Sequence, residues 1–267
     1  MNSKIFVFDI DGTLIDSKNK IKKSTKEIAK KIIKEGNKIV LASARPSRSI
    51  RNVAAELDVP VTSIISLNGS IVFYKNEEFF AKAISSKALE KIIDISKKYN
   101  VNINFYTADN WYIENENSYA KKEAKFTGLT PEIVSNLLNI NDKIFKVLLL
   151  AEKEEIRLVK NELSKMVDFI KVTISNDNYC EIVSKDASKG IALKKLLFKL
   201  SDEIKIDDII VFGDGENDLD MMKIADISIA MENSNEIVKK EANYITLNNN
   251  CDAIEYAVNK LNLLRGE

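Results

Sequence analysis

Three aspartates crowd into residues 5–16, IFVFDIDGTLID. Asp9 and Asp11 follow an apolar run and flank only Ile10. Along an extended backbone their side chains point to the same side. Two close carboxylates repel each other unless a cation lies between them. A hard divalent cation such as Mg²⁺ takes oxygen ligands and keeps several waters. Gly12 lets the chain turn and bring backbone N–H groups near an anion. Taken alone, a D-x-D is equally an acidic turn with an Asp cap.

Three other stretches carry related chemistry. In Ser43-Ala44-Arg45-Pro46 the serine offers a hydroxyl and the following N–H groups can face an anion. The same residues also suit a plain strand-to-helix loop. In Ser188-Lys189-Gly190 the lysine is a point charge suited to a phosphate. By itself it is one surface lysine among many. Gly213-Asp214-Gly215-Glu216-Asn217-Asp218 adds further acids, an amide and a tight turn. It does not satisfy G-x-G-x-x-G, and its acid density favours a metal over a bare pyrophosphate cradle. It also reads as an Asp/Gly turn with an N-cap.

These stretches share a position: each follows a buried strand or opens a helix. The spacing predicts strands at 4–8, 38–42 and 61–66, with helices between them. Ser24 and Glu27 form a capping box for the first helix, which Gly36 stops. A second helix covers 47–57. Segments 71–74 and 78–83 read as a hairpin around Lys75-Asn76-Glu77. The rhythm then changes, with helices expected at 86–99, 130–139 (Thr130 cap, Pro131 in the first turn) and 153–166. Strands are expected there at 101–106, 111–114, 144–150, 169–174 and 179–183. Strand–helix alternation returns from 188, with strands at 209–212, 227–230 and 244–247. The implied fold class is α/β: a Rossmann-like parallel-sheet core with helices on both faces. The core is expected to comprise 1–83 and 185–267, interrupted by an α+β module over 84–184.

Composition narrows the chemistry. Lys+Arg and Asp+Glu stand at 40 each, so charge gives no reason to expect nucleic acid or an anionic membrane as partner. There is no histidine, which removes His-based triads, His-ligated zinc and His general bases. Cys180 and Cys251 form no C-x-x-C pair. No apolar run approaches the ~18 residues of a membrane span, and no signal-peptide pattern opens the chain. A cytoplasmic setting is expected. Strand ends of a parallel sheet meet at one crevice, so the four stretches would combine into a Mg²⁺ site beside a phosphate site. One carboxylate is then free to attack phosphorus, which is covalent catalysis without histidine.

Taken in order, DIDGT, ASARP, SKG and GDGENDLDM resemble the four motifs of the haloacid dehalogenase-like phosphohydrolases. Between Asp9 and Ser43 there is room for one loop and one helix. Between Ser43 and Lys189 there is room for a domain. That placement resembles the Cof-type group, subclass IIB, whose α+β cap lies there and sets substrate specificity. The resemblance implies Asp9 as nucleophile and Mg²⁺ ligand. It implies Asp11 as general acid and then base, with its backbone carbonyl on Mg²⁺. Ser43 and Lys189 would hold phosphoryl oxygens, and Asn217 would contact the phosphate. Asp214 would ligate Mg²⁺ and Asp218 would support it. Asn68-Gly69, after the third strand, matches an Asn-Gly that lies near the substrate in related proteins. The second motif departs from the usual Thr-Gly-Arg: Ser43 keeps the hydroxyl, while Ala44 narrows the backbone freedom before Arg45.

The implied activity is Mg²⁺-dependent hydrolysis of a small phosphorylated metabolite, a sugar phosphate or similar, by a monomer or weak homo-oligomer. Passage of the phosphoryl group to a sugar, as in a phosphomutase or phosphotransferase, is the close alternative. A non-hydrolytic phosphoaspartate signalling module is the distant one. Such a receiver needs only ~120 residues within one small domain and has no insertion. In 103–114, INFYTADNWYIE, Phe105 and Trp111 are expected in the module's core.

Overall fold

The computed structural model describes residues 2–264. The chain sorts into two compact units. One runs up to Ala44, over Ile50–Phe80 and from Ser188 onward; the other holds Arg45–Ser49 and Ala81–Ala187. Among the described residues no helix is long and apolar enough to cross a membrane.

The chain opens with β1 (Asn2–Asp9), α1 (Lys23–Lys34), β2 (Lys38–Ala42), α2 (Ser47–Leu57), β3 (Ser63–Ser66), β4 (Ile71–Tyr74) and β5 (Glu77–Ala81). The second unit carries α3 (Ser86–Lys98), β6 (Asn102–Tyr106), β7 (Trp111–Ile113), α4 (Ser118–Thr127), β8 (Glu132–Ile133), β9 (Lys146–Leu150), α5 (Lys153–Leu163), β10 (Ile170–Asn176) and β11 (Tyr179–Ser184). The first unit resumes with α6 (Lys189–Ser201), β12 (Lys205–Gly213), α7 (Leu219–Met222), β13 (Ile227–Ala230), α8 (Glu236–Glu241), β14 (Tyr244–Ile245) and α9 (Ala253–Lys260).

Among the described residues the first unit's sheet has the order β14-β13-β12-β1-β2-β3-β4-β5. The pairs from β14 to β3 are parallel, and β4 turns back antiparallel to β3. β1 lies between β2 and β12, where the direction of strand succession reverses. An α/β sheet opens its ligand crevice at such a point. The register aligns the strand ends: Phe8 pairs with Leu41 and with Phe212, and Asp9 with Ala42. The residues after β1, β2 and β12 therefore emerge side by side.

Alternation along β1 sets which way the last residue points. Ile5 and Val7 join a buried cluster with Val40, Val211, Leu193 and Leu196, under α6. Phe6 and Phe8 are also buried and turn to the other face. Each such side chain contributes roughly 1.5–3 kcal/mol when fully buried. Asp9 shares parity with Ile5 and Val7, so its carboxylate is delivered to the α6 side.

In the second unit the sheet order is β10-β11-β9-β6-β7-β8 among the described residues. One face packs Phe105, Val147, Leu149 and Ile182 with Ile92 of α3 and Val159 of α5. Phe105 is buried in this core, as expected, whereas Trp111 is buried on the opposite face of the sheet, stacked on Tyr106.

Two local expectations are corrected. No helix spans 130–139. β8 pairs with β7, and Asn136 caps a single 3₁₀ turn, Leu137–Asn139. The apolar spacing there fits a helix, but pairing with β7 satisfies the backbone and wins over local pattern. The helix lies earlier, at α4, capped by Asn117 and ended by Gly128 at φ 71°. Its apolar stripe is too sparse to read, because the buried side of α4 includes Glu123. Ser24 and Glu27 form no capping box. α1 starts at Lys23, and the Ser24 hydroxyl donates to Asp252 Oδ1 at 2.6 Å.

Candidate active site

The strand β1 stops at Asp9, so alternation does not extend to Asp11. The N–H groups of Leu14 and Ile15 donate to the Ile10 carbonyl, and Asp11 bridges to Ile15. This turn, not an extended strand, sets Asp11's position. Gly12 takes φ +82°, and a Cβ there would collide with the Asp214 carboxylate. Any other residue would be both strained and in the way.

Carboxylate oxygens of Asp9, Asp214 and Asp218 lie within 4.8 Å of one another. The Asp11 carboxylate is not one of the three. Lys189, buried at the start of α6, donates to Asp9 Oδ1 at 2.5 Å and to Asp218 Oδ1 at 2.6 Å. Ser188 caps α6 by accepting from the Ile191 N–H at 3.1 Å, which places Lys189 in the first helical position. Asp218 Oδ2 accepts the N–H groups of Asp214 and Gly215, both at 3.0 Å. The Thr13 hydroxyl donates to Asp214 Oδ1 at 2.9 Å.

Charge in this pocket is unbalanced. Burial, then Asp218, raises the Asp9 carboxyl well above its ordinary range, against the pull of Lys189. Burial, then Asp218, lifts Asp214 to about 6, while the Thr13 hydrogen bond opposes the rise. For Lys189 burial opposes the charge, but Asp218 and Asp9 overcome it and hold the ammonium above the ordinary lysine value. Three carboxylates face one ammonium. An all-oxygen, acidic and enclosed donor set of this kind fits a hard divalent cation. Asp9, Asp214 and Asp218 are the residues that would hold it.

The second and third strand ends meet beside this cluster. The Ser43 N–H donates to the Ile65 carbonyl at 2.9 Å, and the Ser43 carbonyl accepts from the Asn68 N–H at 3.1 Å. Ala44 follows at the end of this part of the first unit. Leu67, Asn68 and Gly69 all take left-handed φ, at 50°, 56° and 88°. For Leu67 this costs on the order of 1–2 kcal/mol, held in place by full burial of its side chain. A Cβ on Gly69 would overlap the Ser188 carbonyl. The turn thus lies directly against the start of α6. Asn217 Nδ2 donates to Asn68 Oδ1 at 3.0 Å, joining the turn to the last motif. Arg45 sorts with the second unit. Its guanidinium lies 4.5 Å from the Phe126 ring centroid and donates to Ser49 Oγ at 3.4 Å.

Two participants carried no role in the sequence reading. Thr13 lies within DIDGT, so its place in the motif was a signal. Asn233 had none: its Nδ2 donates to the Gly12 carbonyl at 2.9 Å and approaches Asp214 Oδ2 at 3.5 Å.

The second unit has its own polar cluster, on the sheet face opposite its apolar core. The Tyr106 hydroxyl donates to Glu123 Oε1 at 2.8 Å, and Lys146 pairs with Glu181 at 3.4 Å. Burial raises the Glu123 carboxyl, while Lys146 and Tyr106 oppose that rise. Asn104 Nδ2 and Trp111 Nε1 are buried there without a hydrogen-bond partner.

The profile of the haloacid dehalogenase-like hydrolases matches residues 6–258. A haloacid dehalogenase-like hydrolase from Bacteroides thetaiotaomicron superposes with a TM-score of 0.87 at 28% identity, covering 97% of this chain and 100% of that one. The Bacillus subtilis protein 5-amino-6-(5-phospho-D-ribitylamino)uracil phosphatase YitU is 24% identical over 262 residues, 94% of each chain. The fold alone is shared with BT4131, a sugar phosphatase of subclass IIB, at a TM-score of 0.83 and 23% identity, over 98% of this chain and 100% of that one. On the match along nearly its whole length, this chain belongs to the haloacid dehalogenase-like hydrolase family.

Proposed function

We propose that this hydrolase is a Mg²⁺-dependent phosphatase of small phosphorylated metabolites and works through an aspartyl phosphate on Asp9. The observation that carries the reading is the buried Lys189 ammonium between Asp9 and Asp218, with Asp214 completing a three-carboxylate cluster. Phosphoryl transfer depends mainly on positioning and charge neutralisation; this cluster would position Asp9, while Lys189 and a divalent cation held by the acids would supply the neutralising charge.

In this reading a carboxylate oxygen of Asp9 attacks phosphorus. The new Asp9–phosphorus bond forms as the ester P–O bond breaks, and Asp11 gives its proton to the leaving oxygen. Asp11 then takes a proton from water, whose oxygen bonds phosphorus and releases Asp9. Lys189 holds a phosphoryl oxygen and screens the Asp9 charge. The Ser43 hydroxyl and the N–H groups of Ala44 and Arg45 face the other phosphoryl oxygens. Gly12, Asn68, Gly69 and Asn217 shape and complete that cradle. Asp9, Asp214 and Asp218, with the Asp11 carbonyl, would hold Mg²⁺. A cation bound there would supply neutralisation of the charge that develops on the transferring group.

Substrate choice we assign to the inserted α+β unit, read as a cap over 84–184 with the core at 1–83 and 185–267. The phosphatase names of the relatives support a small phosphate ester, with sugar phosphates first among them. The test is Asp9→Asn assayed on p-nitrophenyl phosphate with Mg²⁺. The nucleophile's loss is expected to lower kcat at least about a thousandfold with the circular dichroism spectrum unchanged. Full turnover by that variant would overturn the mechanism.

A further inference from the structure

The loop after Asp9 turns on its own backbone at the Ile10 carbonyl and is also tied down from a distance. Three asparagines from the far end of the chain supply those ties. Asn233 Nδ2 donates to the Gly12 carbonyl at 2.9 Å, Asn249 Nδ2 to the Ile15 carbonyl at 2.9 Å, and Asn250 Oδ1 accepts the Ser17 N–H at 3.0 Å. Asn233 is itself fixed, because the Asn249 N–H donates to Asn233 Oδ1 at 3.0 Å. Asn248 Oδ1 takes the N–H of Asn250 at 3.0 Å and its Nδ2 at 2.9 Å, which stiffens the same tract. Asn233 and Asn249 precede α8 and α9, on the connections after β13 and β14.

Asn233 is the one member of this set that reaches the acid cluster. Its Nδ2 lies 3.5 Å from Asp214 Oδ2, while Thr13 Oγ1 donates to Asp214 Oδ1 at 2.9 Å. Each oxygen of Asp214 therefore faces a donor. A carboxylate pinned from both sides keeps one orientation, and its lone pairs are presented without reordering when a cation arrives. Donors of this kind tune metal affinity without touching the metal. Gly12 adds to the constraint. Its carbonyl is fixed by Asn233 while its missing Cβ leaves room for Asp214.

We propose that Asn233, seated by the Asn249 backbone, is a positioning residue that preorganises Asp214 and the Gly12 turn for a divalent cation. This rests on the Mg²⁺ reading above. The test is isothermal titration of MgCl₂ into the full chain without substrate, for the wild type, Asn233→Ala and Asn249→Ala. Melting temperatures are measured alongside in EDTA. Asn233→Ala is expected to raise the Mg²⁺ Kd about tenfold, with a melting temperature in EDTA close to wild type. Asn249→Ala keeps the backbone donor but frees the loop from Ile15, and is expected to raise Kd by a smaller factor, about threefold by the same reasoning. A wild-type Kd in Asn233→Ala overturns the proposal while leaving the Mg²⁺ reading in place. No binding by the wild type overturns both. Should Asn233→Ala fail to fold, an unchanged Kd in Asn249→Ala overturns the proposal instead.

Discussion

Lys189 Nζ lies 2.5 Å from Asp9 Oδ1 across a sequence separation of 180 residues. The contact follows from two independent facts. Parity along β1 turns Asp9 to the α6 side, and the Ser188 cap starts α6 where its first residue meets the strand end. Asp218 shares the same ammonium at 2.6 Å, so one buried cation serves two acids.

Removing that ammonium should expose the charge imbalance. Lys189→Met leaves Asp9 and Asp218 buried without their partner, and breaking such a pair costs about 3–5 kcal/mol. Urea denaturation in EDTA is the measurement. Saturating Mg²⁺ should return part of the loss, because a ligand that binds only the folded state stabilises it by mass action. An unchanged urea midpoint in EDTA would show that the lysine is not what compensates these acids.

Gly69 and Gly36 separate backbone strain from crowding. Both have positive φ, +88° and +82°, but a Cβ on Gly69 meets the Ser188 backbone while one on Gly36 meets nothing within 4 Å. Gly36→Ala should cost about 1 kcal/mol, the left-handed penalty alone. Gly69→Ala should cost at least about 3 kcal/mol, since backbone must move to make room. Chemical denaturation of the two variants compares them directly. Equal costs would mean that the turn is free to shift away from α6.

Cys180 should be silent towards alkylation. Burial, then Glu181, pushes its thiol up to about 12, whereas Cys251 is exposed. Iodoacetamide at pH 8.5 should label one thiol in the native protein and two in urea, read by mass spectrometry. The pH dependence has a definite sign. An unfolded thiol ionises near pH 8.5, while the folded one stays neutral until far higher pH. Folding stability therefore falls as pH rises through that window, by up to about 1.4 kcal/mol per pH unit. Cys180→Ala should flatten that part of the alkaline stability curve relative to wild type.

Much of the core was legible because its strands are short, apolar and β-branched, and because acids at strand ends are costly enough to stand out. β2 was readable to the residue for that reason. Asp16 belongs to the loop and not to the site: it accepts the N–H groups of Lys18 and Lys20. The region 115–140 was misread. Its apolar residues at helical spacing, Ile133, Val134 and Leu137, belong to a strand edge and a 3₁₀ turn, and its true helix hides a buried Glu123. Local pattern carries no record of which neighbour will satisfy a backbone.

By itself the sequence determined the kind of chemistry: acids at two strand ends, a lysine opening a helix and no histidine leave a carboxylate–cation–phosphate site as the coherent reading. Composition and spacing are enough for that, because few side chains do this work and their order along the chain is distinctive. Only the tertiary structure decided how the acids are held. The turn at Ile10 places Asp11 outside the three-carboxylate cluster. Thr13 and Asn233 flank Asp214. The left-handed run Leu67-Asn68-Gly69 lies against Ser188. These are hydrogen bonds and close approaches between loops far apart in sequence. They have no periodicity to read, and they exist only once the sheet has aligned its strand ends.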